Sequence, residues 1–318
     1  SRGLGDVYKR QVYARQTMQR ILVVGARSSR QGTGPFLAAG LAAAGARICA
    51  VVGTRAETVL AAQNALMSTS DIECEGYTDL HQALAAEQPE AVVLCTPWRY
   101  HADQLRVVAE AGCHCLVEKP LAWPASEAQI HELLAAFEKR GLLLQMVAQW
   151  PGTLPAFQQL HGGLPARIDR FAMRLSPISI GPEMITDSAP HFISLLQALL
   201  GAGDFSSVGL LRKGERSLQL ESQYRHSTGT AGATLHLETS PQRPRPAWFQ
   251  VNDLRAEREV ELPDYRQYFA AGDSRVPIPD PMHQVAREFL YNLETGAATG
   301  GALLRRAHQN LLQLAAAW

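Results

Sequence analysis

The apolar run GCHCLV ends in Glu118, Lys119 and Pro120, within the stretch LVEKPLA, Leu116 to Ala122. A lysine at the mouth of a buried strand can donate a hydrogen bond to a substrate oxygen. It can also shuttle a proton where burial or nearby positive charge lowers its pKa. Glu118 is a candidate anchor for the Lys119 ammonium, and Pro120 constrains the exit of the chain. The plain alternative is a surface ion pair before a turn. A second constellation lies in ITDSAPHFISLLQALLG, where Asp187 and His191 stand four apart and share a face if the segment is helical. A carboxylate near an imidazole favours the protonated ring and can orient it, which suits proton transfer beside a substrate. Proline is tolerated in a first helical turn, so Pro190 predicts a helix that begins near Asp187 or Ser188. Asp187 is then also a candidate N-cap with no chemical role.

Three other stretches have the chemistry of nucleotide binding. GARSSRQGTGP follows the apolar run Ile21–Val24, where a dinucleotide-binding unit usually carries G-x-G-x-x-G. Gly25 is in place, Arg27 and Arg30 occupy the second and third glycine positions, and Gly32, Thr33 and Gly34 follow before Pro35 opens a helix. Both arginines suit phosphate oxygens; an ordinary glycine-rich loop is the alternative. VVGTRAET ends the second apolar run without the carboxylate that usually meets a free ribose 2′-hydroxyl. Thr54 and Arg55 suit a 2′-phosphate instead, favouring NADP over NAD, unless Arg55 is simply solvated at a helix start. In TPWRYH, Thr96 and Pro97 end another strand, and His101 either faces a ligand or begins the next helix. No metal is expected. Asp187 and His191 lack a third ligand, and Cys113-His114-Cys115 lacks the second pair that a four-ligand zinc site needs.

The elements that must position these residues alternate. From Met18 to about Trp150, apolar strand-like runs (ILVV, ARICAVVG, EAVVLCTP, CHCLV, LLLQMVAQW) alternate with Ala- and Leu-rich helical patterns. Continuous apolar strands between helices predict a parallel sheet covered on both faces, an α/β Rossmann-type doubly wound fold with ligands beyond the strands' carboxyl ends. The helix in TDLHQALAAEQ should be capped by Thr78 or Asp79 and stop at Pro89. After residue 150 the texture changes. In SLQLESQYRH, Leu218, Leu220, Ser222 and Tyr224 share one face, and Gln219, Glu221, Gln223 and Arg225 the other. That alternation predicts an α+β unit with a large, mostly antiparallel open sheet. SPQRPRP is a turn or edge, and DPMHQVAREFLYNLETG and LLRRAHQNLLQLAAAW are two closing helices. The expected organisation is a dinucleotide-binding domain over 18–149 and a substrate-binding and oligomerisation domain over 150–318. Residues 1–17 fit no element and are read as a non-native or disordered tail, with Met18 as the natural start.

Composition narrows the class. Thirty basic residues balance thirty acidic ones, so no global field draws the chain to nucleic acid or an anionic membrane. No apolar run approaches the roughly twenty residues of a membrane span. Five cysteines form no disulfide framework, which fits a reducing cytoplasm.

Taken jointly, TPWRYHADQLRVVAEAGCHCLVEKPLA is similar in order and spacing to the T-P-N-x-x-H, A-G-K-H-V and E-K-P sequence of the Gfo/Idh/MocA pyridine-nucleotide oxidoreductases. Asp187 to His191 resembles that family's second-domain D-x-x-x-H. The resemblance implies that Lys119 is the catalytic lysine, that Asp187 and His191 complete a polar triad with His191 as acid/base, and that a nicotinamide cofactor serves a sugar, polyol or related small molecule. It also implies a homodimer or homotetramer through the second sheet. Imine or dihydrodiol reduction and a non-catalytic nucleotide-binding regulator are the alternatives. Three departures stand out: the longer arginine-bearing glycine loop, Trp98 in place of the usual asparagine, and IGPEMIT in place of a glycine-rich lead into the Asp/His motif.

Overall fold

The computed structural model describes residues 18–26, 32–297 and 300–318. Its first part alternates strand and helix: β1 (Arg20–Val24), α1 (Gly34–Ala43), β2 (Arg47–Val52), α2 (Ala56–Ser70), β3 (Glu75–Tyr77), α3 (Leu80–Glu87), β4 (Ala91–Leu94), α4 (His101–Glu110), β5 (His114–Val117), α5 (Glu127–Glu138) and β6 (Leu144–Met146). The strands form a six-stranded sheet in the order β3-β2-β1-β4-β5-β6, and every neighbouring pair is parallel. Strands β1, β4 and β5 are apolar and buried on both faces because helices cover both sides. The strand order reverses between β1 and β4, so the crevice beyond their carboxyl ends is where such a sheet takes ligands. Asp79 caps α3, its carboxylate accepting the Gln82 N–H at 2.8 Å, and Gln88 ends that helix in a left-handed conformation before Pro89. The edge strand β3 has no apolar run, so the sequence pattern does not reveal it.

The second part runs through α6 (Leu154–His161), β7 (Arg170–Leu175), α7 (Glu183–Leu200), β8 (Gly203–Arg212), β9 (Ser217–His226), β10 (Gly229–Glu238), β11 (Trp248–Val251), β12 (Leu254–Glu261), β13 (Arg266–Ala271) and β14 (Ser274–Ile278), then α8 (Pro281–Thr295) and α9 (Gly301–Ala315). Its eight strands are ordered β14-β13-β12-β11-β7-β10-β9-β8, and all pairs are antiparallel except β7 with β10. Leu218, Leu220, Ser222 and Tyr224 of β9 are buried on one face, as the alternation predicts. They join Phe171, Phe192, Phe249 and Leu311 in a core between this sheet and helices α7 and α9. SPQRPRP is an irregular link between β10 and β11.

Helix α8 does not stay with this second core. Val285, Ala286, Phe289 and Leu290 pack with Ile21, Val23 and Leu37 on the first sheet. Gly40 permits the approach: a Cβ there would lie 2.9 Å from His283 and 3.2 Å from Ala286. Helix α7 begins at Glu183, one turn before the position that Pro190 predicts, and Pro190 lies inside it. Met184, Ile185, Ala189, Phe192 and Ile193 are buried along it, and packing of that face stabilises helix where local preference opposes it. Asp187 is therefore a second-turn residue and not an N-cap.

Candidate active site

Lys119 is set where β5 ends, and Asp187 is carried by α7 of the second part. The Lys119 Nζ donates to Asp187 Oδ1 at 2.8 Å and to the Asp187 main-chain carbonyl at 2.7 Å. Pro190 has no N–H for the Thr186 carbonyl, and Lys119 contacts the neighbouring Asp187 carbonyl. The pair keeps an opening to the crevice, with side-chain exposures of 15% for Lys119 and 28% for Asp187. Ser179 Oγ donates to the other carboxylate oxygen at 3.2 Å. Glu118 does not hold the ammonium. Its carboxylate accepts the Lys119 backbone N–H at 3.0 Å, which orients the peptide and leaves Nζ for the second part of the chain. The Lys119–Pro120 peptide is cis.

Burial raises the Asp187 pKa, but the Lys119 charge and hydrogen bond outweigh it, and with His191 and Ser179 they hold the carboxyl below its usual range. His191 is driven the other way by its surroundings. Burial chiefly, then the Lys119 and Arg258 charges, push its pKa down to about 3, with Asp187 opposing. The imidazole is thus held neutral, and it shares one electrostatic cluster with Lys119 and Asp187. Arg258 comes from β12 and Arg245 from the irregular link before β11, and their charges reach His191 and Asp187 respectively.

The nucleotide side is built from β1 and β4. Gly25 has φ +87°, and a Cβ there would sit 2.7 Å from the Cys95 carbonyl oxygen. A Cβ on Gly34 would sit 2.6 Å from the Gly25 carbonyl oxygen. These are the tight turn and the close helix–strand contact that a dinucleotide loop requires, with the packing glycine displaced to position 34 by the longer loop. A side chain at either position would press on backbone, so both glycines are required by the close packing of the β1 end against the β4 end and the start of α1. Thr33 precedes α1 and hydrogen-bonds the Cys95 thiol; Gly32 lies just before it. Arg27 and Arg30 lie outside the described residues. Thr54 and Arg55 are exposed past the end of β2, and Arg55 has no acidic partner among the described residues. Thr96 and Pro97 follow β4, and the Thr96 hydroxyl donates to Gln104 at 2.5 Å.

Of the two places the sequence left open for His101, it takes the second and begins α4 instead of facing the crevice. It is fully enclosed (0% exposed), with Nε2 2.8 Å from the Thr96 carbonyl oxygen and Nδ1 3.0 Å from that of Pro120. Burial lowers its pKa, and the Pro120 and Thr96 carbonyls oppose that shift. His101 ties the end of β4 to the turn that aims Lys119. Sequence reasoning also missed Ser179, Arg245, Arg258 and Trp150. Only Arg258 had a legible signal: it falls on the inward set of β12, in phase with the buried Ala256.

Residues 19–148 match the model of the Gfo/Idh/MocA family, described as an oxidoreductase family with an NAD-binding Rossmann fold. A 91-residue segment is 37% identical to the 4-carboxy-2-hydroxymuconate-6-semialdehyde dehydrogenase of a Sphingobium species, covering 28% of this chain and 27% of that protein. A 157-residue segment is 29% identical to the UDP-N-acetylglucosamine 3-dehydrogenase of Acidithiobacillus ferrooxidans, covering 47% of this chain and 48% of that protein. The chain thus spans less than half the length of these curated relatives. In three dimensions it resembles the scyllo-inositol dehydrogenase of Lactobacillus casei, with a TM-score of 0.72 at 14% identity over 95% of this chain and 96% of that one. At that identity the likeness is one of fold.

Proposed function

We propose that the chain, whose residues 19–148 match the NAD-binding Gfo/Idh/MocA oxidoreductase family model, belongs to that family and moves hydride between a nicotinamide cofactor and a carbinol or carbonyl carbon of a sugar or polyol. The contact that carries this reading is Lys119 Nζ on Asp187 Oδ1 at 2.8 Å, made beyond the strand ends with His191 in the same electrostatic cluster. The dehydrogenase names of the relatives agree with it. NADP is the cofactor proposed, on the strength of Thr54 and Arg55 where an acid would serve NAD.

The chain's residues divide the work. Gly25, Thr33 and Gly34 admit the pyrophosphate to the α1 amides, and Thr96 and Pro97 border the crevice. Lys119 polarises the reacting oxygen, with Asp187 fixing the ammonium. His191, neutral at physiological pH, takes the hydroxyl proton during oxidation and returns it during reduction. The bound nicotinamide supplies the hydride acceptor or donor at its C4 carbon. The outer face of the second sheet is proposed to pair subunits into a homodimer or homotetramer.

Fluorescence titration with NADPH, followed by a panel of sugars and polyols with NADP+ read by nicotinamide absorbance, tests the proposal. Saturable binding with turnover of a sugar or polyol is expected. Turnover confined to imines or dihydrodiols would move the substrate class, and binding without any turnover would favour a nucleotide-sensing regulator.

A further inference from the structure

We infer that the substrate carries an oxyanion, a carboxylate or phosphoryl group, received by Arg258 and Arg245 beside His191. The word substrate rests on the oxidoreductase reading above; the anion site rests on the two arginines themselves.

Arg258 is the inward-pointing arginine of β12. Its Nε is sealed from solvent and has no hydrogen-bond partner. One Nη2 hydrogen bond runs to the Arg245 carbonyl oxygen at 3.0 Å, and the guanidinium lies 5.7 Å from the centre of the Trp150 ring. Among the described residues no carboxylate pairs with Arg258 or with Arg245. The contrast within the same sheet is direct. Arg255, three residues away on the outer face of β12, pairs with Glu257, and Arg266 and Arg275 nearby pair with Glu261. A guanidinium stays charged under all ordinary conditions, and withdrawing it from water with donors unmatched is costly. Arg258 and Arg245 have no acid in an ion pair, while Arg255, Arg266 and Arg275 do. An arriving anion would pair with Arg258 and Arg245.

Position says which anion. Trp150 lies four residues past the end of β6, on the ligand side of the first sheet. Lys119 already has the Asp187 carboxylate, whereas neither Arg258 nor Arg245 has an ion-pair partner among the described residues. Tyr265 is the other side chain whose field reaches both arginines, and it is exposed. Two-point recognition follows: the anion docks on the fork of Arg258, and the carbinol carbon lies toward Lys119 and His191. A planar fork matches the paired oxygens of a carboxylate or phosphate.

Three six-carbon probes share one chain: sorbitol is neutral, D-gluconate carries a carboxylate at C1, and sorbitol 6-phosphate a phosphoryl group at C6. Calorimetric titration of each into the full chain, with and without NADP+, reads the site without turnover. At least one anion is expected to bind about 10-fold or more tightly than sorbitol, and the tighter of the two identifies the group. Arg258→Met and Arg245→Met should each remove most of that gap, and if Arg258→Met does not fold by circular dichroism, Arg245→Met decides. Equal behaviour of all three probes, including no binding by any, overturns the inference, as does a gap that survives in the folded variants. An arginine-dependent gap in a protein that binds no nicotinamide nucleotide leaves the anion site standing and removes the oxidoreductase reading. Turnover of sorbitol with no gap does the reverse.

Discussion

Lys119 takes its counter-ion from a residue 68 positions away, although Glu118 is adjacent. Glu118 instead holds the lysine's own backbone N–H, so the ammonium is free to be matched across the crevice. The sequence order E-K-P and D-x-x-x-H made both groups legible, but not their pairing, because partner choice depends on the relative placement of two sheets. His191 supplies a test at this scale. An unfolded imidazole titrates near about 6.5, while burial and the Lys119 charge lower the folded value to about 3. Below about pH 6.5 the unfolded chain therefore binds a proton that the folded chain refuses, so the stability present above that pH is lost progressively as pH falls toward the folded value. His191→Gln should make the urea midpoint less sensitive to pH between about 7 and about 5; identical pH dependence in the two proteins would contradict the buried neutral ring. Arg55 supplies another. It is exposed and unpaired by acid, so Arg55→Glu should weaken NADP roughly 10-fold more than NAD, measured by fluorescence titration, and equal losses would remove the 2′-phosphate assignment.

At the scale of elements, the longer glycine loop has its second close-packed glycine at position 34. The sequence shows Arg27 and Arg30 where a fingerprint has glycines, and only the fold shows Gly34 against the Gly25 carbonyl. Gly34→Ala is expected to cost about 1–3 kcal/mol of stability and to weaken nucleotide binding. Thermal unfolding and the same titration measure both, and an unchanged protein would show that the contact tolerates a methyl group. The alternating apolar runs made five of the six parallel strands readable. Strand β3, EGY, was not, because three residues at a sheet edge need no hydrophobic signal. The early start of α7 escaped for another reason: the proline rule is local, whereas Met184, Ile185 and Phe192 are held by a core assembled from distant strands.

Across the whole molecule, several connections cross between the two parts, and two of them bear on the site. Helix α8 leaves the second core and packs on α1 through Phe289 and Ala286, and the Lys119–Asp187 pair joins them at the crevice. The alternation of the first half and the longer strands of the second made the two-sheet architecture legible. The return of α8 was not, since an amphipathic helix does not specify which apolar surface it covers. The structural crossing at Lys119 is also the centre of the functional account, and Lys119→Ala tests it most directly. With folding checked by circular dichroism, nucleotide affinity measured by fluorescence should stay close to that of the parent protein, while kcat falls by about two orders of magnitude or more. Turnover equal to that of the parent protein would contradict the role given to this lysine.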